Sequence, residues 1–147
     1  MPREFKTILC PTDFSAASGH AIEYGARFAR GSDGTLLIAH VLHIPTEHYR
    51  DEHGEVFGFD VLKSRAESEL RGACERYAGG YPNTQLLSDV GDPFEKLLAI
   101  TSDRNVDLII TSTHGRTGIG HLAMGSVAEK IVRHAPCPVL VVRCGIE

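Results

Sequence analysis

Four glycines fall within eleven residues near the end of this 147-residue chain, in Gly115-Arg-Thr-Gly118-Ile-Gly120-His-Leu-Ala-Met-Gly125. Glycine permits positive φ and lets a ligand approach the backbone closely. A helix pattern opens directly after the run, and a helix N-terminus offers unpaired N–H groups and partial positive charge. A Gly-rich loop leading into a helix start is chemistry suited to phosphate or another anion. Arg116 inside the loop adds a charge-assisted contact to that reading. Ser126-Val127-Ala128-Glu129 matches a capping box, with the Ser126 side chain closing its own helix. That role is compatible with phosphate bound through the backbone N–H groups.

A second candidate is Asp13, in Pro11-Thr12-Asp13-Phe14-Ser15. It follows an apolar run and carries a carboxylate able to accept hydrogen bonds from amino or hydroxyl groups. A turn or helix-capping aspartate is the competing reading. Asp13 and His114 are the polar groups near the loop that catalysis would have to use. Neither has an evident second residue to set its pKa or orientation, so the pattern points to binding without catalysis, slow ATP hydrolysis apart. Two other patterns carry less. No Gly-Lys-Ser/Thr follows the glycines, which removes a Walker-type loop, and Gly118-x-Gly120-x-x-Ala123 neither follows the first strand nor opens a helix at once. The segment with His43, His48, Asp51, Glu52, His53 and Glu55 has neither zinc nor EF-hand spacing and reads as a solvated loop, with no metal site assigned.

The elements that must position these residues alternate along the chain. Thr7–Cys10 reads as a buried strand stopping at Pro11, and Ser15 caps a helix running to Arg30 with Ala21, Ile22, Gly25, Ala26 and Ala29 as its apolar stripe. Thr35–Val41 is a second strand. Val61–Tyr77 is a second helix, with Leu62, Ala66, Leu70, Ala73 and Tyr77 at three- and four-residue steps. Thr84–Val90 is a third strand, and Pro93 opens a third helix burying Phe94, Leu97, Leu98 and Thr101. Asp107–Thr111, a helix within Gly125–His134, and Val139–Arg143 complete the order. Strands separated by helices require a parallel sheet with right-handed crossovers, a three-layer α/β/α fold. Ligands of such sheets sit outside the strands' carboxyl ends, which selects the segments after Cys10, Val41, Val90 and Thr111.

Composition sets the limits. The length fits a single domain, residues 1–147, and the apolar fraction of 42% and charged fraction of 23% are near globular averages. A formal charge of −4 argues against a nucleic-acid binder working by phosphate neutralisation. Residues 101–147 carry five basic and four acidic residues, so the Gly-rich end tolerates an anion better than the rest. Cys10, Cys74, Cys137 and Cys144 have no metal-ligand spacing and read as buried thiols in a reducing cytoplasm. No apolar run approaches the roughly 20 residues of a membrane span, and no signal peptide is evident.

Taken together, these residues resemble the universal stress protein family over nearly the whole chain. The resemblance rests on Ile8-Leu-Cys-Pro-Thr-Asp-Phe-Ser, on Gly115-Arg-Thr-Gly, and on Gly125-Ser-Val-Ala-Glu-Lys-Ile-Val-Arg-His-Ala-Pro-Cys-Pro-Val-Leu-Val-Val-Arg. It implies an adenine nucleotide alpha hydrolase-like fold, an open five-stranded parallel sheet in the order 3-2-1-4-5. The family's nucleotide-binding members carry Gly-x-x-Gly, nine residues, then Gly-Ser/Thr. Gly115 fills the second glycine, and Gly125 and Ser126 close the motif, but Ser112 replaces the first glycine and brings a Cβ toward a ribose or phosphate. By resemblance, Pro11, Thr12, Asp13 and Val41 surround adenine and ribose. Ser112, His114, Gly115, Arg116, Gly118, Gly125, Ser126 and Val127 surround the phosphates of ATP, ADP or AMP, with Mg²⁺ on the phosphates. The resemblance also implies a homodimer through Val139–Arg143, an apolar β-branched edge that a second copy would cover. The function expected is nucleotide-dependent regulation or stress response, exercised through a protein partner. The alternative is a dimeric interaction module that does not bind ATP, and Ser112 supports it.

Overall fold

A computed structural model of the chain describes residues 4–43, 52–53, 58–113 and 125–143. Among them lie five strands and four helices: β1 (Thr7–Pro11), α1 (Ala16–Ser32), β2 (Thr35–Leu42), α2 (Phe59–Ala78), β3 (Thr84–Val90), α3 (Pro93–Asp103), β4 (Leu108–Ser112), α4 (Ser126–His134) and β5 (Val139–Val142). The strands form one parallel sheet in the order β3-β2-β1-β4-β5. The expected topology is therefore present.

Strand β1 is buried on both faces, as its continuous apolar run requires. Ile8 and Cys10 face a core shared with Ala21, Ile22, Ala26 and Ala29 of α1 and Leu70 and Ala73 of α2. Leu9 faces the other core, with Leu37 and Ala39 of β2, Leu97 of α3 and Ile131 of α4. Helices α1 and α2 thus cover one face, and α3 and α4 the other.

Local chemistry fixes the ends. Ser15 caps α1 as expected, its Oγ accepting the Ser18 N–H at 3.2 Å. The helix outlasts Arg30 and closes on Asp33 in the left-handed region (φ 57°), with Gly34 N–H donating to Ala29 O at 2.8 Å. A Cβ at Gly34 would stand 2.4 Å from the Lys6 carbonyl, so glycine is required there by close approach. Asp92 caps α3 through the Glu95 N–H at 2.9 Å, with Pro93 in the first turn.

Three boundaries move. Pro11 belongs to β1, paired with Ala39, because the Ala39 carbonyl takes the following Thr12 N–H and asks no N–H of the proline. Ser112 is the last residue of β4, paired with Val142, where the sequence places the loop's start. Asp107 stands just ahead of β4, its carboxylate accepting the backbone N–H groups of Lys6 (3.0 Å) and Thr7 (2.9 Å) and so tying the starts of β1 and β4 together.

Candidate functional site

The order of strands reverses at β1, which lies between β2 and β4, and open α/β sheets place their ligands at such a switch point. A cavity of about 350 Å³ opens there, outside the strands' carboxyl ends on the α3/α4 face. That volume lies within the roughly 300–1,000 Å³ usual for small-molecule sites. Strand β1 and its loop contribute Pro11, Thr12 and Asp13; β2 contributes Ala39, His40 and Val41. Thr111 and Ser112 enter from β4, Pro93 and Leu97 from α3, and Gly125 to Ala128 and Ile131 from α4.

The start of α4 differs from the capping box read from the sequence. Gly125, in extended conformation (φ −64°, ψ 160°), occupies the cap position, and no side chain caps the helix. Ser126 is the first helical residue, and the Glu129 N–H donates to the Gly125 carbonyl at 3.0 Å. The Ser126-x-x-Glu129 spacing is thus one residue out of register with a capping box, whose serine must precede the helix. The first-turn N–H groups of α4 consequently border the cavity without a serine folded over them. A Cβ at Gly125 would meet no described atom within 4 Å.

The β1–α1 loop is tightly built. Thr12 N–H donates to Ala39 O at 2.8 Å, and Thr12 Oγ1 lies 2.8 Å from Ser18 Oγ. Phe14 N–H donates to Thr12 Oγ1 at 3.0 Å, and Ser15 N–H donates to Asp13 Oδ1 at 3.0 Å. Asp13 therefore closes a turn, and it also lines the cavity. Phe14 lies in the left-handed region (φ 67°).

Of the residues the sequence singles out, Pro11, Thr12, Asp13, Val41, Ser112, Gly125, Ser126 and Val127 all line this one cavity. His114, Gly115, Arg116 and Gly118 lie outside the described residues. So do His48, Asp51 and Glu55 of the His-rich loop, whose described members His43, Glu52 and His53 are exposed. Sequence reasoning missed Ser18, Ala39, His40, Pro93, Leu97, Thr111, Ala128 and Ile131 as cavity residues. Most follow the periodicity of core residues, and periodicity does not separate a cavity wall from a core. Two cysteine expectations change: Cys10 is buried, and burial pushes its thiol pKa up, but Cys74 and Cys137 are only half-buried.

The lining combines apolar walls with a few polar groups. Pro11, Ala39, Val41, Leu97 and Ile131 give apolar walls for a flat ring. Asp13 supplies an acceptor, and the α4 start supplies donors for anionic oxygens. Among the described residues no cluster of three or more His, Cys, Asp or Glu is placed to hold a metal ion.

A model of the universal stress protein family matches residues 4–143. The chain belongs to that family. A relative from Thermus aquaticus, named as the universal stress protein in the QAH/OAS sulfhydrylase 3′ region, is 35% identical over 140 residues, covering 95% of this chain and 99% of its own. Among solved structures, universal stress protein MJ0577 of Methanocaldococcus jannaschii superposes with a TM-score of 0.81 at 26% identity, covering 99% of this chain and 100% of its own. A universal stress protein in complex with cAMP matches with a TM-score of 0.71 at 22% identity, covering 96% of this chain and 98% of its own. One from Archaeoglobus fulgidus in complex with dAMP matches at 0.68 and 16%, covering 95% and 98%. At those identities the two complexes bear on this universal stress protein's fold alone.

Proposed function

We propose that this universal stress protein binds an adenine nucleotide in the switch-point cavity, ATP with Mg²⁺ foremost and ADP or AMP through the same contacts. The observation that carries the reading is one cavity with apolar walls, a carboxylate at Asp13 and the Gly125-capped start of α4. The adenine ring lies against Pro11 and Val41, with Asp13 accepting from the base or ribose. The phosphates lie at Ser112, Gly125, Ser126 and Val127, joined by His114, Gly115, Arg116 and Gly118 of the family motif. Mg²⁺ arrives on the phosphates. Two solved structures of the same fold are complexes with cAMP and dAMP, which makes an adenine nucleotide the first ligand to test.

The protein acts by binding, with no dedicated turnover, as a cytoplasmic homodimer joined through Val139–Arg143 whose bound state a protein partner reads. Extracting purified protein for nucleotide, then comparing melting with Mg·ATP and Mg·GTP, tests this. Ligand at a hundred times Kd adds about 2.7 kcal/mol to stability, so ATP raises Tm by several degrees and GTP does not. Equal melting with both, and no extracted nucleotide, would favour the second reading. That reading is a dimeric interaction module, and Ser112 supports it by putting a side chain at the cavity where the family motif has glycine.

A further inference from the structure

We infer that His40 is a positioning residue that holds Asp13 in place for the nucleotide, an inference that rests on reading the cavity as an adenine-nucleotide site. His40 interrupts the apolar run of β2 on the face that carries Leu36 and Ile38. Its Nδ1 lies 2.8 Å from the Thr12 carbonyl, which can only accept, so Nδ1 carries the proton and donates. The neighbouring Ala39 carbonyl accepts the Thr12 N–H. Two consecutive residues of β2 therefore grip both backbone groups of Thr12.

The imidazole also packs on Phe14, with ring centroids 4.3 Å apart and planes inclined by 39°. Phe14 is held at positive φ, a costly conformation for a residue with a bulky side chain. Its contacts with His40 and Thr12 Oγ1, together with its packing on the α1/α2 core, offset that cost. Asp13 lies between the two residues that His40 touches. Removing the imidazole frees the Thr12 carbonyl and the Phe14 ring together, and the backbone that aims Asp13 relaxes. His40 thus acts on the nucleotide through Asp13.

A double-mutant cycle on ATP affinity tests this. His40→Leu weakens ATP binding about tenfold in the otherwise native protein and less than about twofold in an Asp13→Ala background, the signature of coupled residues. His40→Asn, whose Nδ2 takes the place of Nδ1, restores affinity to within about threefold, a rescue that loss of packing alone would not give. Should His40→Leu fail to fold, His40→Gln takes its place, since its amide sits one atom too far out for the Thr12 carbonyl. Equal losses with and without Asp13, or no loss, overturn the inference while ATP binding by the native protein stands. No ATP binding by the native protein overturns the reading of the cavity and this inference with it.

Discussion

At Gly25 a Cβ would stand 2.4 Å from the Cys10 sulfur and 3.0 Å from Leu36 Cδ1, both on buried side chains of the sheet. Alanine is worth about 1 kcal/mol over glycine in a helix interior. Gly25→Ala should nevertheless lower stability by about 1–3 kcal/mol in urea unfolding, because overpacking a filled core outweighs the propensity gain. Cys10 itself gives a pH signature. Burial raises its thiol pKa above the ordinary value, so its contribution is complete below pH 9.0 and declines as the unfolded thiol ionises above it. Stability should fall there by up to about 1.4 kcal/mol per pH unit more in the native protein than in Cys10→Ala. Asp13 and the glycines stood out in the sequence because their types are rare in apolar strands and regular helices. The left-handed Phe14 left no such mark, since nothing in Asp-Phe-Ser requires positive φ. The geometry is held by the contacts with Thr12 and His40 and by packing on the α1/α2 core, none of which a local pattern announces.

The elements were legible wherever periodicity was long. The stripes of α1 and α2 and the buried run of β1 stand where the pattern put them, because a two-sided core leaves few ways to place them. Short-range signals at helix starts divided. Ser15 caps its helix as read, and Asp92 caps one where the sequence marks only Pro93, but Ser126 does not cap, since Gly125 reaches that position first and one residue of register separates the two arrangements. Asp92→Ala should therefore cost about 1 kcal/mol, measured by thermal or urea unfolding. Helix α3 supplies Pro93 and Leu97 to the cavity, so nucleotide affinity should weaken with it. Ser126→Ala should leave stability within about 0.5 kcal/mol, as expected for a residue that caps nothing.

For the whole molecule, the alternation of strands and helices was enough to give the sheet's parallel character, and the resemblance to the family gave its order. The cavity walls were hidden because Ala39, Leu97 and Ile131 satisfy both a core pattern and a ligand slot. Strand β5 lies at the sheet's edge, and no helix among the described residues is long and apolar enough to cross a membrane. The carbonyls of Pro138 and Val142 accept from β4, so the backbone groups of Val139 and Val141 face away from it. Proline is tolerated where an edge N–H points outward. Val141→Pro should therefore leave the protein folded but convert the proposed dimer to monomer in light scattering. A dimer that persists would place the interface elsewhere. The most direct test of nucleotide binding is calorimetric titration with Mg·ATP of the native protein and of Gly125→Val. A Cβ at Gly125 meets no described atom within 4 Å and the backbone there is extended, so the variant should fold while crowding the phosphate end of the cavity. Micromolar binding by the native protein, lost in the variant, is the predicted result. No heat from nucleotide-free native protein, or equal binding by both, would contradict it.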